Sequence, residues 1–229
     1  FGAYVFRYCS DSFVFRIRIG KKINFLYFLN FIESEKALFL YENKMGGKMK
    51  KIRWGIIGLG NIANKFAQAV TKMQNTELVA VASRTKEKSE HFGNNYGVAK
   101  EKCYGTYEEI VKDNEVDVIY IAVPHSMHKE LSILCLKNKK AVLCEKPVAL
   151  NEEEVVEVIN CAKENETFFM EAMKTRFLPV HKEVKRMVEN GEIGEIRLIQ
   201  ADFGFYTEFD EKNRLFDPKL GGGALLDVG

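Results

Sequence analysis

Proline and paired cysteines are both scarce in this 229-residue sequence. Only four prolines are present, and none of them lies in the first 48 residues. The five cysteines form no CxxC pair and no spacing that suits zinc, so we expect no metal site. Cys135 and Cys144 lie in apolar runs, which is typical of buried, reduced thiols. The cysteine pattern therefore favours a cytoplasmic protein.

A long uninterrupted apolar run is also missing. The most apolar stretch, from Ile23 to Ile32, is interrupted by Asn24 and Asn30 and is followed by Glu33. This stretch is too short to cross a bilayer, and no small-residue cleavage site follows it as a secretory signal requires. We therefore predict neither a membrane span nor a secretory signal.

Residues 1–48 differ in composition from the remainder. They hold 12 of the 27 aromatic residues and a net charge of +4, which leaves −2 for the other 181 residues. Because the positive charge is confined to this leader, we predict no nucleic-acid binding. The stretch "MKKIRWGIIGLG" from Met49 resembles a natural N-terminus, and the codons of Gly46-Gly47-Lys48 could hide a ribosome-binding sequence. We predict that residues 1–48 are not native coding sequence; the alternative is a genuine extension that is disordered or touches a membrane.

From Met49 onward, short apolar runs alternate with helically spaced segments. Strands that are apolar throughout and alternate with helices imply a parallel sheet covered on both faces. The sequence therefore predicts an α/β fold, a doubly wound Rossmann domain over residues 49–172. The predicted strands are 52–58, 77–83, 116–124, 140–147 and 167–172, and the predicted helices are 61–73, 85–97, 106–113, 125–138 and 151–165.

The pattern changes after residue 172. A helix is predicted over 178–194 and a long antiparallel strand over 195–209. We predict that residues 173–229 are the incomplete start of an α+β substrate and dimerisation domain, since "GGGALLDVG" reads as the middle of a motif.

The stretch "GLGNIA" (58–63) follows a predicted strand and opens a predicted helix, as a dinucleotide-binding turn does. Gly58 allows the tight turn, and Gly60 lets the backbone approach a pyrophosphate. Asn61 and Ile62 begin the helix whose amides would bind that pyrophosphate, and Ala63 permits close packing. A bound dinucleotide cofactor is therefore predicted.

The end of the second strand predicts which dinucleotide binds. An acidic residue there would bind the ribose 2′-hydroxyl of NAD, but the sequence has "ASRTKEK". Ser83 and Thr85 can donate hydrogen bonds, and the planar Arg84 side chain suits a 2′-phosphate. We predict NADP in preference to NAD; the alternative is that Arg84 is merely solvated.

Together with these motifs, three further stretches resemble the Gfo/Idh/MocA oxidoreductase family. They are "VDVIYIAVPHSMH" (116–128), "VLCEKPVALN" (142–151) and "MEAMKTRFLPVHKEVKRMVENGEIGEI" (170–196). Within the family they look most like the dihydrodiol dehydrogenase and NADP-dependent xylose dehydrogenase branch. The resemblance extends from Lys51 to Gly229.

The resemblance implies roles for several loop residues. Pro124 and His125, with His128 beyond them, match the family loop beside the nicotinamide half of the cofactor. Glu145 and Lys146 match the family's EKP signature, whose lysine lies by the reactive carbon. A helix cap or a packed side chain remains the alternative for each histidine, and an ion-pair partner for Glu145.

Two residues from the last third of the sequence also match the family pattern. Arg176, in "MKTRF", resembles an arginine that faces the cofactor. Asp227 resembles the aspartate that opens a D-x-G-x-(Tyr/His) helix, whose acid/base residue would be at position 231. A solvated charge and a plain helix cap are the respective alternatives.

The resemblance implies a cytoplasmic NADP-dependent dehydrogenase that transfers a hydride between the nicotinamide and a carbinol carbon of a sugar or cyclic vicinal diol. Lys146 would orient the substrate, and the full-length protein would be a homo-oligomer. The sequence as given is expected to be a fragment that binds NADP and turns over substrate poorly. A dinucleotide-sensing regulator without catalysis and an NAD-dependent inositol or aldose dehydrogenase remain alternatives.

Overall fold

The structure of this chain is a computed structural model that describes residues 2–7, 15–19 and 51–227. The predicted start at Met49, Cys9 and most of the leader lie outside the described residues.

Six parallel strands form one sheet in the order β5-β4-β3-β6-β7-β8. Because sequence neighbours lie on both sides of β3, the chain winds in two directions from the centre of the sheet. This arrangement confirms the predicted doubly wound α/β fold. The strands are β3 (Ile52–Ile57), β4 (Thr76–Ala82), β5 (Cys103–Tyr104), β6 (Val118–Ile121), β7 (Ala141–Cys144) and β8 (Phe169–Glu171).

Helices connect these strands and cover the sheet. They are α1 (Asn61–Val70), α2 (Lys86–Tyr96), α3 (Tyr107–Ile110), α4 (His128–Lys137) and α5 (Glu152–Glu164), followed by α6 (Pro179–Glu189) and α7 (Ala224–Asp227). Short 3-10 turns span Lys100–Lys102, His125–Met127, Lys174–Phe177 and Pro218–Leu220.

The helix starts follow local side-chain chemistry. The Thr85 side chain accepts a hydrogen bond from the Lys88 amide at 3.4 Å, and Asn151 accepts one from the Glu154 amide at 2.9 Å. Both caps are the first residues of the predicted helices 85–97 and 151–165, and α2 ends at Gly97, which adopts a left-handed φ of 73°.

The core lies on both faces of the sheet. Phe66 and Tyr120 are buried on one face, and Ile119 and Cys135 are buried on the other. Burial on two faces explains why the strands are apolar throughout instead of alternating. The four described cysteines are free and buried.

The predicted strand over 195–209 is wrong in length, because only β9 (Gln200–Asp202) forms there. Its neighbour is β1 (Gly2–Arg7), which also pairs with β2 (Phe15–Ile19), so these strands form a separate antiparallel sheet. Alternation defines the two faces of a strand, but a strand persists only where a neighbour accepts its hydrogen bonds. Whether the leader is native sequence stays a prediction.

None of the helices in the described part of the chain has both the length and the hydropathy that a membrane span requires.

Candidate active site

The loops that follow the central strands lie along one edge of the sheet. The hydrogen-bond ladder continues past each strand end and ties each loop to its neighbour. The bonds run from the Gly58 amide to the Ala82 carbonyl (3.1 Å), from Ala122 to Ile57 (2.8 Å), from Glu145 to Ile121 (3.0 Å) and from Ala172 to Cys144 (2.6 Å). Because ligands of such sheets bind outside the carboxyl ends of the strands, this edge is the candidate site.

Gly58 meets two requirements that a residue with a side chain cannot meet. Its φ is +85°, in the left-handed region, and a Cβ there would lie 2.5 Å from the carbonyl oxygen of Ala122. The turn after β3 therefore packs directly against the end of β6, and α1 can begin at once.

Gly60 precedes α1 and differs from Gly58 in its surroundings. A Cβ added at Gly60 would have no protein atom within 4 Å, so the chain itself leaves open space beside this glycine. No side chain caps α1 and its first turn holds no acidic residue, so the amides of Asn61 and Ile62 are available at a positive helix end. The open space and these amides fit a pyrophosphate.

The three residues that follow β4 have different roles. Ser83 is buried, and its amide donates to the carbonyl of Tyr104 at 3.2 Å. Thr85 caps α2. Arg84, between them, is exposed. Within the described part of the chain, its guanidinium forms no ion pair with a carboxylate. Arg84 and Thr85 are both exposed, so both side chains are accessible to a ligand phosphate, and of the two only Arg84 carries a positive charge.

His125 joins the sheet edge to the segment near residue 221. It lies after Pro124 in a 3-10 turn, it is buried, and its Nδ1 lies 2.9 Å from the Gly221 carbonyl oxygen. Gly221 has a φ of +75°, and a Cβ there would lie 2.6 Å from Leu150 and 2.8 Å from His125. The glycine-rich turn thus packs onto the loop that was predicted to lie beside the nicotinamide.

His128 connects two loops through its ring. The ring is fully buried, with Nδ1 2.6 Å from the Pro147 carbonyl oxygen and Nε2 2.9 Å from the Val123 carbonyl oxygen. Burial lowers the pKa of His128 although both carbonyls favour the charged form. These contacts give His128 a structural task; its predicted cofactor contact stays a prediction.

Lys146 and Asp227 form an ion pair across the site. The Lys146 ammonium donates to the Asp227 carboxylate at 3.2 Å and also to its backbone carbonyl. The Lys146 side chain is 34% exposed and that of Asp227 is 14% exposed, so a ligand can still reach the lysine. Arg214 lies 3.7 Å from the same carboxylate. The two predicted catalytic residues are therefore in contact although 81 positions separate them.

The expectation that Asp227 opens a helix is wrong, because α7 begins three residues earlier, at Ala224. The glycine turn over residues 221–223 ends directly before Ala224, so the helix begins there and not at Asp227.

Glu145 accepts a hydrogen bond that sequence patterns do not show. The hydroxyl of Tyr120, in the middle of β6, donates to its carboxylate at 2.5 Å. Burial raises the pKa of Glu145, although bonds from Tyr120 and the Lys146 amide act in the opposite direction. Burial and the nearby carboxylate raise the pKa of Tyr120 well above its ordinary value, so Tyr120 remains a donor. A tyrosine inside an otherwise apolar strand is the signal that could have revealed this pair.

Arg176 lies in the 3-10 turn after β8 and is exposed. The preceding Lys174 is at the same edge, near Glu145 and Lys146, and desolvation lowers its pKa. The structure thus brings predicted residues from the loops after five strands, β3, β4, β6, β7 and β8, to one edge. Within the described residues, no group of three or more His, Cys, Asp or Glu side chains is arranged to hold a metal ion.

Family models match both the Rossmann domain and the segment that follows it. The sequence model described as the Gfo/Idh/MocA oxidoreductase family, NAD-binding Rossmann fold, matches residues 52–173. The model of the GFO/IDH/MocA C-terminal domain matches residues 181–229.

Curated relatives point in the same direction. The trans-1,2-dihydrobenzene-1,2-diol dehydrogenase of Xenopus tropicalis is 40% identical over 179 residues, which are 77% of this chain and 53% of that protein. The human enzyme of the same name is 38% identical over 180 residues, 78% of this chain and 53% of that protein. The chain spans about half the length of the curated relatives it matches.

Solved structures share the fold. A 3-ketoreductase from Actinomadura kijaniata in complex with NADP is 30% identical with a TM-score of 0.59, over 65% of this chain and 47% of that chain. Apo scyllo-inositol dehydrogenase from Lactobacillus casei, at 24% identity and a TM-score of 0.60 over 65% of this chain and 44% of that chain, is similar in fold alone. With the glycine turn, the EKP loop and two matching domain models in place, the chain belongs to the Gfo/Idh/MocA oxidoreductase family.

Proposed function

We propose that the whole protein is an NADP-dependent oxidoreductase that transfers a hydride between the nicotinamide and a carbinol carbon of a sugar or cyclic vicinal diol. The Lys146–Asp227 ion pair carries this proposal, because it lies at the same sheet edge as an open glycine turn. The names of the relatives, dihydrodiol dehydrogenases and a 3-ketoreductase, support the substrate class.

The chain's own residues fit NADP. Gly60, Asn61 and Ile62 would hold the pyrophosphate, and Arg84 would bind the 2′-phosphate with its planar fork. NADP, when bound, supplies or accepts the hydride. The ketoreductase relative was solved with NADP, which also favours this dinucleotide.

Lys146 acts on the substrate oxygen. Its ammonium would donate a hydrogen bond to the hydroxyl or carbonyl oxygen and stabilise the negative charge that develops as the proton leaves. Asp227 holds the amine in place, because both its carboxylate and its backbone carbonyl accept from it. By family resemblance, the group that exchanges the proton is four residues after Asp227.

Replacing Lys146 tests this function. In the full-length protein, Lys146→Met is expected to lower kcat by about 100-fold to 10,000-fold while the Kd for NADP stays within about threefold. The control is Lys137→Met, which removes an exposed lysine at the end of α4. Turnover is followed by the absorbance of the reduced nicotinamide with a panel of diols and sugars. NADP binding without turnover of any panel member would instead indicate a dinucleotide sensor.

We also propose that the whole protein is a cytoplasmic homo-oligomer. The free, buried thiols support the location, and exposed apolar side chains near β9 support association; among them are Ile199, Tyr206 and Phe209. Light scattering at several concentrations would measure the oligomer, and a monomer at all of them would contradict the proposal.

A further inference from the structure

Tyr120 is a polar residue in the most deeply buried part of the sheet. It is fully buried in β6, and its ring stacks on Phe66 of α1 with 3.9 Å between ring centroids and 16° between planes. Phe66 lies one turn into the helix whose first amides face the predicted pyrophosphate. The Tyr120 ring is therefore fixed against the cofactor helix.

The hydroxyl of Tyr120 reaches the loop after the neighbouring strand. It donates to Glu145, the residue directly before Lys146, at 2.5 Å. The Glu145 amide is bonded to the Ile121 carbonyl at 3.0 Å, so both the backbone and the side chain of Glu145 are tied to β6. A buried carboxylate is costly unless donors surround it, and Tyr120 provides such a donor.

We infer that Tyr120 is a positioning residue, which holds the Glu145 carboxylate beside Lys146 and connects the cofactor helix to the catalytic lysine. This inference rests on the proposed function, in which Lys146 contacts the substrate oxygen. The route runs from Phe66 through Tyr120 and Glu145 to Lys146. No contact between Tyr120 and the substrate is required.

The charged groups around Glu145 define what the hydroxyl does. Lys146 adjoins Glu145 in the loop after β7, Lys174 faces it from the turn after β8, and the Cys144 thiol lies at the strand end. Beyond Lys146 lies the Asp227 carboxylate. Since burial already favours the neutral form of Glu145, loss of the Tyr120 hydroxyl raises its pKa further, and the negative charge beside Lys146 is lost at a higher pH.

Three variants test the inference in the full-length protein: Tyr120→Phe, Glu145→Gln and the control Tyr104→Phe. Tyr104 also donates to a carboxylate, that of Asp113 at 2.9 Å, but lies in β5, which three strands separate from β7 and the loop of Lys146. At alkaline pH, the kcat of Tyr120→Phe should resemble that of the wild type. As the pH falls, its kcat should decrease by about tenfold or more and approach the kcat of Glu145→Gln. Tyr104→Phe should leave the pH profile of kcat unchanged, and the Kd for NADP should stay within about threefold in every variant.

A loss of kcat in Tyr120→Phe that is the same at every pH would overturn the inference, since a merely structural role gives that result. Unfolding supplies a second readout. In a double-mutant cycle of Tyr120→Phe and Glu145→Gln, the unfolding equilibrium constant should show a coupling of about tenfold or more at neutral pH that weakens in acid.

If the wild type binds NADP without turnover, the proposed function fails and the cycle alone decides the Tyr120–Glu145 pair. Coupling that weakens in acid then supports the positioning of Glu145, and additive effects at every pH overturn it.

Discussion

Gly58 and Gly60 are two positions apart, but the structure gives them different tasks. Gly58 is required by the protein, because its Cβ would overlap the Ala122 carbonyl at 2.5 Å. Gly60 faces open space, so a requirement for glycine there would come from a ligand.

We therefore predict opposite results for two alanine variants. Gly58→Ala should lower the free energy of unfolding by about 3 kcal/mol because of overlap and a left-handed φ. Gly60→Ala should change stability by less than about 1 kcal/mol but weaken NADP binding. Urea unfolding and nucleotide titration measure the two effects, and equal losses of stability would contradict the assignment.

Arg84 determines the predicted preference for NADP. Arg84→Ala should raise the Kd for NADP by about 10-fold to 100-fold, because a charge-assisted bond to the 2′-phosphate is lost, and leave the Kd for NAD unchanged. Lys88→Ala, which removes an exposed cation from α2, is the control. If the ratio of the two Kd values is the same in Arg84→Ala and the wild type, the NADP assignment is wrong.

The turn over Pro218–Leu220 packs against the candidate active site through Gly221. Gly221 packs against Leu150 and His125 so closely that no Cβ fits, and its φ is left-handed. Gly221→Ala should detach this turn, so that amides between 214 and 227 exchange faster with solvent while those of β3 and β6 do not change. The control is Gly204→Ala, where a Cβ meets no atom within 4 Å. Unchanged exchange in Gly221→Ala would show that the contact is not needed to hold the turn.

The strands of the parallel sheet could be predicted because each is an apolar run that ends at a glycine, a proline or a polar loop. β5 was missed because two residues, Cys103 and Tyr104, are too few to form a pattern. The strand over 195–209 was predicted too long because alternation does not show which segment pairs with it.

The common position of Gly58 and Lys146 could also be predicted, because motifs place them in loops that a doubly wound sheet brings to one edge. Asp227 lies in α7, outside that sheet, and only its motif could be recognised. The hydrogen-bonding and packing partners of these residues could not be predicted. Tyr120 and Gly221 act through contacts over 25 and 96 positions, respectively, and local patterns do not encode such contacts.

A second cluster of polar side chains contributes to the stability of the whole fold. Asp113 is buried and accepts from Lys102 at 3.0 Å and Tyr104 at 2.9 Å, while the buried Lys140 amine donates to its backbone carbonyl at 2.6 Å. Burial acts to raise the pKa of Asp113, but bonds from the Glu115 amide, Lys102 and Tyr104 outweigh it and lower the pKa below its ordinary value.

Asp113 therefore contributes stability above its unfolded-state pKa, and this contribution is lost as the pH falls through the lower folded-state pKa. Asp113→Asn should cost about 2 kcal/mol at neutral pH and progressively less below about pH 4. Urea unfolding at several pH values measures this dependence, with Asp210→Asn, an exposed aspartate, as the control. A cost that is independent of pH would show that Asp113 stabilises the fold through its shape and not through its charge.

The buried ring of His128 has a practical consequence for anyone who handles this protein. The hydrogen on the carbon between the two imidazole nitrogens exchanges slowly with heavy water, and only where the ring meets solvent. Because both nitrogens of His128 are enclosed by the carbonyls of Val123 and Pro147, that carbon should keep its hydrogen far longer than that of the exposed His91. A mass spectrum of the peptide that contains His128 would thus report, without substrate or cofactor, whether the loops of Val123 and Pro147 are folded around the ring in a given sample.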